Sequence, residues 1–389
     1  MALEGISQLL VDHIQSLPML GQRFSGMTLV NYDSLADERR GCFSLVFRAQ
    51  DLDGTSVAIK FFDPASATNT YRQNCFVRES QILASLAGHA QCIQLISDIQ
   101  TIQLPIPISA DSIIHVPCQF FAIEWINDSI DDYFEKQENY PAEEKLTVFS
   151  EIVYSVELLH AAQVFHRDLK PDNIRCRWVG TRHKALPIDL GTAARMESLQ
   201  MYPLYATSAG APFYAAPEAL VGLAGDRSIA KYTDYYALGC MLFELFNADY
   251  HMHALLRQNP TLHVLFGAVR AGMNGTQDQQ RAQWLAGIDK FSSSFQCADV
   301  AALGTSLPAG LNGLIDEVVC GLTQVDYRRR MPLPMVRRRI ASAIRSMKNQ
   351  REYQHRLQVS KENRRRRLEK MARQEAKFRG GIAAARSIS

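Results

Sequence analysis

The sequence predicts an α+β protein of two lobes, a small antiparallel sheet with one helix and then a larger, mainly α-helical part. From about Met27 to Glu124, short apolar runs rich in β-branched and aromatic residues alternate with turn material. From Pro141 onward the apolar residues recur at helical spacing instead. The length of 389 residues exceeds the roughly 100–200 residues of an ordinary domain, so one large bilobal domain or two ordinary ones are expected.

In chain order, Ile6, Leu9, Leu10, His13, Ile14 and Leu17 form a helical stripe inside an N-terminal extension over residues 1–26. With few basic residues near it, this helix is expected to dock on the body of the protein rather than on a membrane. The small lobe spans 27–124, with strands at Leu45-Val46-Phe47, Val57 to Phe62 and Phe120 to Trp125 and a turn at Asp51-Leu52-Asp53-Gly54. Inside it, Tyr71 to Leu86 carries Phe76, Ile82, Leu83 and Leu86 without Gly or Pro, which reads as a single helix. The large lobe spans 125–340. There, Leu146, Phe149, Ile152, Val153, Val156 and Leu159 mark a long amphipathic helix over 144–162 that delivers the chain to His166, and a second helix covers about 234–246. Clusters of Gly, Ser and Asn between 259 and 311 leave that stretch unassigned. A basic tail, 341–389, follows; from Arg337 to Phe378 it lacks Gly and Pro and reads as a solvated helix.

The eight cysteines are dispersed, with no C-x-x-C pair, so reduced thiols are expected. No apolar run reaches the ~18–20 residues needed to cross a bilayer, and the first residues lack a signal-peptide pattern. A cytoplasmic protein is the expectation. The net charge of +2 conceals an asymmetry: from Arg337 on, 17 Lys and Arg face 4 Glu, a net of +13, which leaves −11 for the remainder. The tail can seek an acidic partner, nucleic acid, an anionic membrane or the acidic body itself, although few aromatics interleave its charges to stack on bases.

Four short signatures carry chemistry. Val57-Ala58-Ile59-Lys60 is a strand presenting one lysine, and Glu79 on the following helix can hold its ammonium in an ion pair. His166-Arg167-Asp168-Leu169-Lys170-Pro171-Asp172-Asn173 matches H-R-D-x-x-x-x-N at every defined position. Asp189-Leu190-Gly191, with Leu in place of the usual Phe, ends an apolar strand in a carboxylate. Farther on come Ala216-Pro217-Glu218, then Asp234-Tyr235-Tyr236-Ala237-Leu238-Gly239, and Leu322-Thr323-Gln324-Val325-Asp326-Tyr327-Arg328-Arg329-Arg330.

In this order the motifs resemble those of the eukaryotic-type (Hanks-type) serine/threonine protein kinase family, over roughly residues 27–340. The resemblance implies a bilobal protein-kinase-like fold that uses ATP and Mg2+ to phosphorylate Ser and Thr of protein substrates. It makes Asp168 the acceptor of the substrate hydroxyl proton, Lys170 a neutraliser of the moving charge, and Lys60 with Glu79 the phosphate-binding pair. Gly41, Val46, Ala58, Lys60, Glu124, Trp125, Ile126, Asn173 and Asp189 would hold the nucleotide, Asn173 and Asp189 through the metal. Ile123 would guard the pocket beside the hinge, Glu218 would pair with Arg330, and the helix begun by Asp234 would anchor the catalytic loop. Lys170, two residues after Asp168, is the serine/threonine signature.

Three positions depart from the family pattern. Alignment on Val46 puts Arg39, Gly41 and Ser44 at the three glycines of the phosphate-covering loop, so only Gly41 survives. Arg175 stands where the family has an apolar floor beneath adenine, and Ala211 where it has a threonine that bonds the catalytic carboxylate. These departures keep an alternative open, a nucleotide-binding pseudokinase acting as a scaffold or regulator. Arg167 is expected to receive a phosphate from the activation segment, with Thr207 as acceptor and Ser208, Thr192 and Ser198 as alternatives.

Overall fold

The computed structural model describes residues 5–33, 38–39, 44–109, 111–179, 182–195, 210–223, 225–226, 228–291, 295–298 and 311–351, with Leu3 and several positions between 354 and 366; at 33, 38, 39 and 182 only the backbone is described. Arg40, Gly41, Ser198, Thr207, Ser208 and most of the tail lie outside the described residues.

Helix α1 (Ile6–Ser16) precedes strands β1 (Ser25–Leu29), β2 (Tyr32–Asp33), β3 (Glu38–Arg39), β4 (Ser44–Gln50) and β5 (Ser56–Phe62). Helix α2 (Thr70–Ser85), capped by the Asn69 side chain accepting from Arg72 N–H, leads to two long strands, β6 (Leu95–Ser109) and β7 (Ser112–Glu124). Five strands form one antiparallel sheet in the order β1-β4-β5-β7-β6, while β2 and β3 pair separately.

Strand β5 lies in the middle of the sheet and is covered on both faces. Val57, Ile59 and Phe61 join Phe47, Phe120 and the α1 residues Leu10 and Ile14 on one side. Ala58 and Phe62 join Phe76, Ile82 and Leu83 of α2 on the other. Because successive side chains alternate, Lys60 falls on the α2 face, with Ala58 two residues before it. The N-terminal stripe thus docks on the sheet through Leu10 and Ile14, and the Ser7 hydroxyl donates to Asp63 at 2.6 Å; Leu9 stays 43% exposed.

Strand is expected from the sequence at Phe120–Trp125, whereas the long β6–β7 ribbon leaves no clear signal there, because Pro105, Pro107 and Pro117 interrupt its apolar runs. Proline is tolerated there for lack of a neighbour: β6 is an edge strand, and β5 pairs with β7 only from Phe120 onward.

The larger part begins with β8 (Asp128–Ser129), α3 (Asp132–Glu135) and α4 (Ala142–Ala161), followed by β9 (Val164–Phe165), β10 (Ile174–Val179), β11 (Arg182–Pro187) and β12 (Ala194–Arg195). Helices α5 (Ala230–Glu244), α6 (His251–Gln258), α7 (Leu262–Gly272), α8 (Gln277–Phe291) and α9 (Asn312–Leu322) follow, and a further helix, α10, covers 333–351. One core unites α4, α5, α9 and α10 through Phe149, Ile152, Leu238, Met241, Val319 and Ile340. Part of the unassigned stretch is helical, as α7 and α8, and buries Trp284 and Ile288.

Helix α10 differs from the solvated helix expected over this region. Val336, Ile340, Ala343 and Met347, spaced three or four apart, are buried in the core. The flanking arginines pair with the body: Arg337 with Glu157 at 2.8 Å, Arg339 with Glu317 at 2.8 Å and Arg351 with Glu143 at 3.1 Å. The density of charge hid a four-residue apolar stripe, and the helix passes through residue 340 without a break. Among the described residues no helix is long and apolar enough to cross a membrane, and the seven described cysteines are free.

Candidate active site

Lys60 stands at the centre of β5, and its Nζ lies 2.7 Å from both carboxylate oxygens of Glu79 and 3.3 Å from Oδ1 of Asp189. Burial works against the ammonium charge, but Asp189 and Glu79 outweigh it and raise the Lys60 pKa. Burial likewise pushes Glu79 up, with Lys60 pulling back, while Lys60 holds Asp189 below the ordinary carboxylate value. Asp189 follows β11 in the left-handed conformation, φ 62° and ψ 60°, which is costly for a non-glycine residue and swings its carboxylate back to Lys60.

The loop from His166 to Asn173 is fixed from below. The buried Asp234 carboxylate, at the first turns of α5, accepts the backbone N–H groups of His166 at 2.8 Å and Arg167 at 2.6 Å, and His160 Nε2 lies 2.7 Å from it. These contacts hold Arg167 at φ 69°. Asp168 N–H donates to His166 Nδ1 at 3.3 Å, so the ring proton sits on Nε2 and is donated to the Ile188 carbonyl at 2.8 Å. The ring of His166 therefore ties this loop to the residue preceding Asp189.

Asp168 is held at both oxygens. Asn173 Nδ2 donates to Oδ2 at 3.1 Å and to the Asp168 carbonyl at 2.8 Å, while Ala211 N–H donates to Oδ1 at 2.9 Å. Where the family places a threonine hydroxyl, this chain uses a backbone amide. Gly210 makes that approach possible: its φ is +104°, and a Cβ there would lie 2.3 Å from Asp168 Oδ1. Burial raises the Asp168 pKa, with the Lys170 charge opposing. Lys170 Nζ lies 3.5 Å from Asp172 Oδ2. A small recess beside Asp168 is lined by Leu169, Ala211, Tyr214, Ala216 and Ala219, among others.

The donor set fits a hard divalent cation. With Nδ2 of Asn173 spent on Asp168, its Oδ1 is the acceptor left, and Asp189 offers a carboxylate with its side chain 39% exposed. Two oxygen donors at the mouth of a cleft suit Mg2+ completed by phosphate and water.

At the hinge, β7 ends on Glu124, whose Oε1 accepts from Gln94 N–H at 3.0 Å and whose Oε2 meets Arg177 of β10 at 2.5 Å. Ile126, two residues on, has backbone N–H and C=O groups with no partner among the described residues. Val46, Ile123, Trp125, Ile126 and Ile188 pack in the cluster that contains Ala58. Trp125 is also held by Arg48, 5.3 Å from its ring centroid, and by Asn127, which accepts from its indole at 2.6 Å. The buried Glu218 receives both guanidinium nitrogens of Arg330, at 2.5 and 2.7 Å.

The structure thus brings together Lys60, Glu79 and Asp189, and separately Asp168, Asn173 and Ala211; Val46, Ala58, Glu124, Trp125 and Ile126 line the junction of the lobes. Gly41 lies outside the described residues, as does the side chain of Arg39, and Ser44 is buried. Thr192 is engaged, its hydroxyl donating to His166 O at 3.2 Å and its carbonyl accepting from Arg167 at 3.1 Å. His160, Gly210 and Arg177 join these residues without having been marked by any motif in the sequence. His160 sits one turn-pair before the loop on the face of α4 that meets α5, and its only sequence signal was its place in the helical period.

The cleft lies between a five-stranded sheet and a helical body, with an ion-paired strand lysine on one side and a clamped carboxylate on the other. Residues 40–292 match the protein kinase domain, and the chain belongs to that family. It is similar to the putative ribosomal protein S6 kinase alpha-2 of Caenorhabditis elegans, 25% identical over 61% of this chain and 30% of the relative. CBL-interacting protein kinase 28 of Oryza sativa subsp. japonica is 28% identical over 53% of this chain and 43% of its own length. Serine/threonine-protein kinase Sgk3 of Rattus norvegicus is 24% identical over 55% and 39%. The chain thus spans less than half the length of each of these relatives.

Proposed function

We propose that the chain is a protein serine/threonine kinase that transfers the γ-phosphate of ATP to Ser and Thr hydroxyls of protein substrates. The observation that carries this reading is that Lys60 and Glu79 of the small lobe meet Asp189 of the larger part beside a carboxylate, Asp168, clamped at both oxygens.

In this mechanism Lys60, kept charged by its two carboxylates, binds phosphate oxygens, and Glu79 keeps it from swinging away. Asn173 Oδ1 and the Asp189 carboxylate would hold Mg2+, which when bound neutralises charge on the phosphates. Asp168, with a pKa raised by burial, orients the substrate hydroxyl and accepts its proton. The clamp from Asn173 and Ala211 leaves the carboxylate little rotational freedom, so the hydroxyl meets a pre-set base. Lys170 offsets charge on the moving phosphoryl group. The names of the relatives support the serine/threonine assignment. We propose a cytoplasmic location for the protein and, from its net basic charge, an acidic partner for the part of the tail beyond 351.

Transfer of labelled γ-phosphate from ATP with Mg2+ to a generic basic protein tests the reading, with Asp168→Ala and Lys60→Ala as folded controls. Labelled Ser or Thr that disappears in both variants is the expected result. Equal labelling by wild type and Asp168→Ala would remove Asp168 from the mechanism.

A further inference from the structure

Strand β10 passes beneath the junction of the lobes. Its residues Ile174 and Cys176 are sunk in the helical core, so strand alternation turns Arg175 and Arg177 to the opposite face. That face is the cleft. Asn173, just before the strand, donates to the Asp168 carboxylate, and Arg177 reaches Glu124 at 2.5 Å where β7 gives way to the hinge. Arg175 lies between these markers, paired across the sheet with Ser129 of β8 and Leu186 of β11.

Arg177 has a close partner, whereas Arg175 does not. Its nearest acidic oxygen, Asp131 Oδ2, is 4.0 Å from Nη1, beyond hydrogen-bonding range, and its guanidinium makes no hydrogen bond among the described residues. Its side chain is 34% exposed. A planar cation therefore faces the cleft with its plane uncommitted. The opposite wall is apolar, from Val46 and Ala58, and the inner edge carries the backbone N–H and C=O of Ile126, which have no partner among the described residues. Lys60, Asn173 and Asp189 mark where phosphates would lie, so a heterocycle on the same ligand would lie at the hinge end.

We infer that Arg175 is the floor of the base-binding slot and lays its guanidinium plane against the face of the nucleotide base, with Val46 and Ala58 on the other face and Asp131 steadying its outer edge. The inference rests on the reading of the cleft as a nucleotide site and adds the device that grips the base. Arginine stacks on aromatic faces through a weakly hydrated plane, whereas a lysine ammonium is compact and strongly hydrated. Stacking does not read the base edge. Arg175 therefore strengthens adenine and guanine nucleotides alike, and the choice between them is left to the Ile126 backbone.

Calorimetric titration of the full chain with MgATP and MgGTP, apart from any phosphotransfer, tests this against Arg175→Lys, which keeps charge and stem but loses the plane. The expected result is a rise in Kd of about three- to thirtyfold, by the same factor for both nucleotides, with the melting temperature of the nucleotide-free protein unchanged. Arg175→Leu, which offers an apolar contact without a hydrated charge, should bind both more tightly than Arg175→Lys. Equal Kd for Arg175→Lys and wild type, or a loss confined to one nucleotide, overturns the stacked floor while leaving the cleft a nucleotide site. If the wild type binds neither nucleotide, both readings fall together.

Discussion

Replacing Gly210 by alanine would put a methyl group where the Asp168 carboxylate now sits. The added Cβ would lie 2.3 Å from Oδ1, 2.9 Å from Cγ and 3.0 Å from Cβ of Asp168, so carboxylate or segment must move by about 1 Å to reach ordinary contact. The backbone resists as well, because φ +104° is open to glycine and costs other residues about 1–3 kcal/mol. If the segment withdraws, Asp168 Oδ1 loses the Ala211 N–H, a hydrogen bond to a charged group of about 1.5–3 kcal/mol. A displacement of about 1 Å in a positioned catalytic group lowers rate by about 100-fold. Gly210→Ala should therefore lower kcat about 100-fold and leave the KM for ATP within about twofold, because Lys60 and Glu79 lie on the other wall of the cleft and the Lys60–Asp189 pair does not touch the segment at Gly210. Steady-state phosphotransfer with varied ATP, with circular dichroism to confirm folding, measures both numbers. A variant with wild-type kcat would show that the contact between the activation segment and Asp168 has no part in the reaction.

Two further predictions concern stability. Burial pushes the Glu244 carboxyl up to about 8 although the Tyr214 hydroxyl donates to it at 2.6 Å, and burial pushes His251 down to about 4. The raised carboxyl contributes stability that is complete below its ordinary value of 4.5 and lost as pH rises through 8; the depressed histidine contributes stability that is complete above 6.5 and lost as pH falls towards 4. The two slopes oppose one another below 6.5, which leaves that of Glu244 from 6.5 to 8. Urea unfolding should show wild-type stability declining there by about 1.4 kcal/mol per pH unit relative to Glu244→Gln, and parallel curves would refute the assignment. In α10, Ile340→Ala should cost about 2–5 kcal/mol and Arg339→Ala less than about 1 kcal/mol, since the first empties a fully buried site and the second cuts a half-exposed ion pair. The reverse order would mean that charge, not the apolar stripe, seats this helix.

The small lobe was legible where composition and burial agree. Val57 to Phe62 is apolar at nearly every position because both faces of β5 are covered, and its short length, its β-branched and aromatic residues and the turn before it, rather than periodicity, mark it as strand. The β6–β7 ribbon was not legible, because proline forbids a central strand and the sequence does not say that these residues have a free edge. Lys60, Asp168, Asn173 and Asp189 stood out through short motifs whose spacing reflects a loop of fixed shape. Of what holds that loop, Asp234 was legible through the family motif alone, whereas His160, 74 residues before it, was not, and Gly210 acts through the space its missing side chain leaves. Helix α10 shows the opposite error, in which arginines dominate the composition while four small or aliphatic residues decide where the helix lies.

The segment that matches the family begins at residue 40 and ends at 292, whereas the hydrophobic cores reach outward to Leu10 and Ile14 at one end and to Met347 at the other. Homology and cooperativity therefore draw different borders on this chain. Trimming it to the recognised segment would strip α1 from the back of the sheet and leave Phe47, Phe61 and Phe120 facing water on the strands that also carry Val46, Lys60 and the approach to the hinge. The outer helices, which no motif announces, are the hull that keeps the recognisable machinery dry.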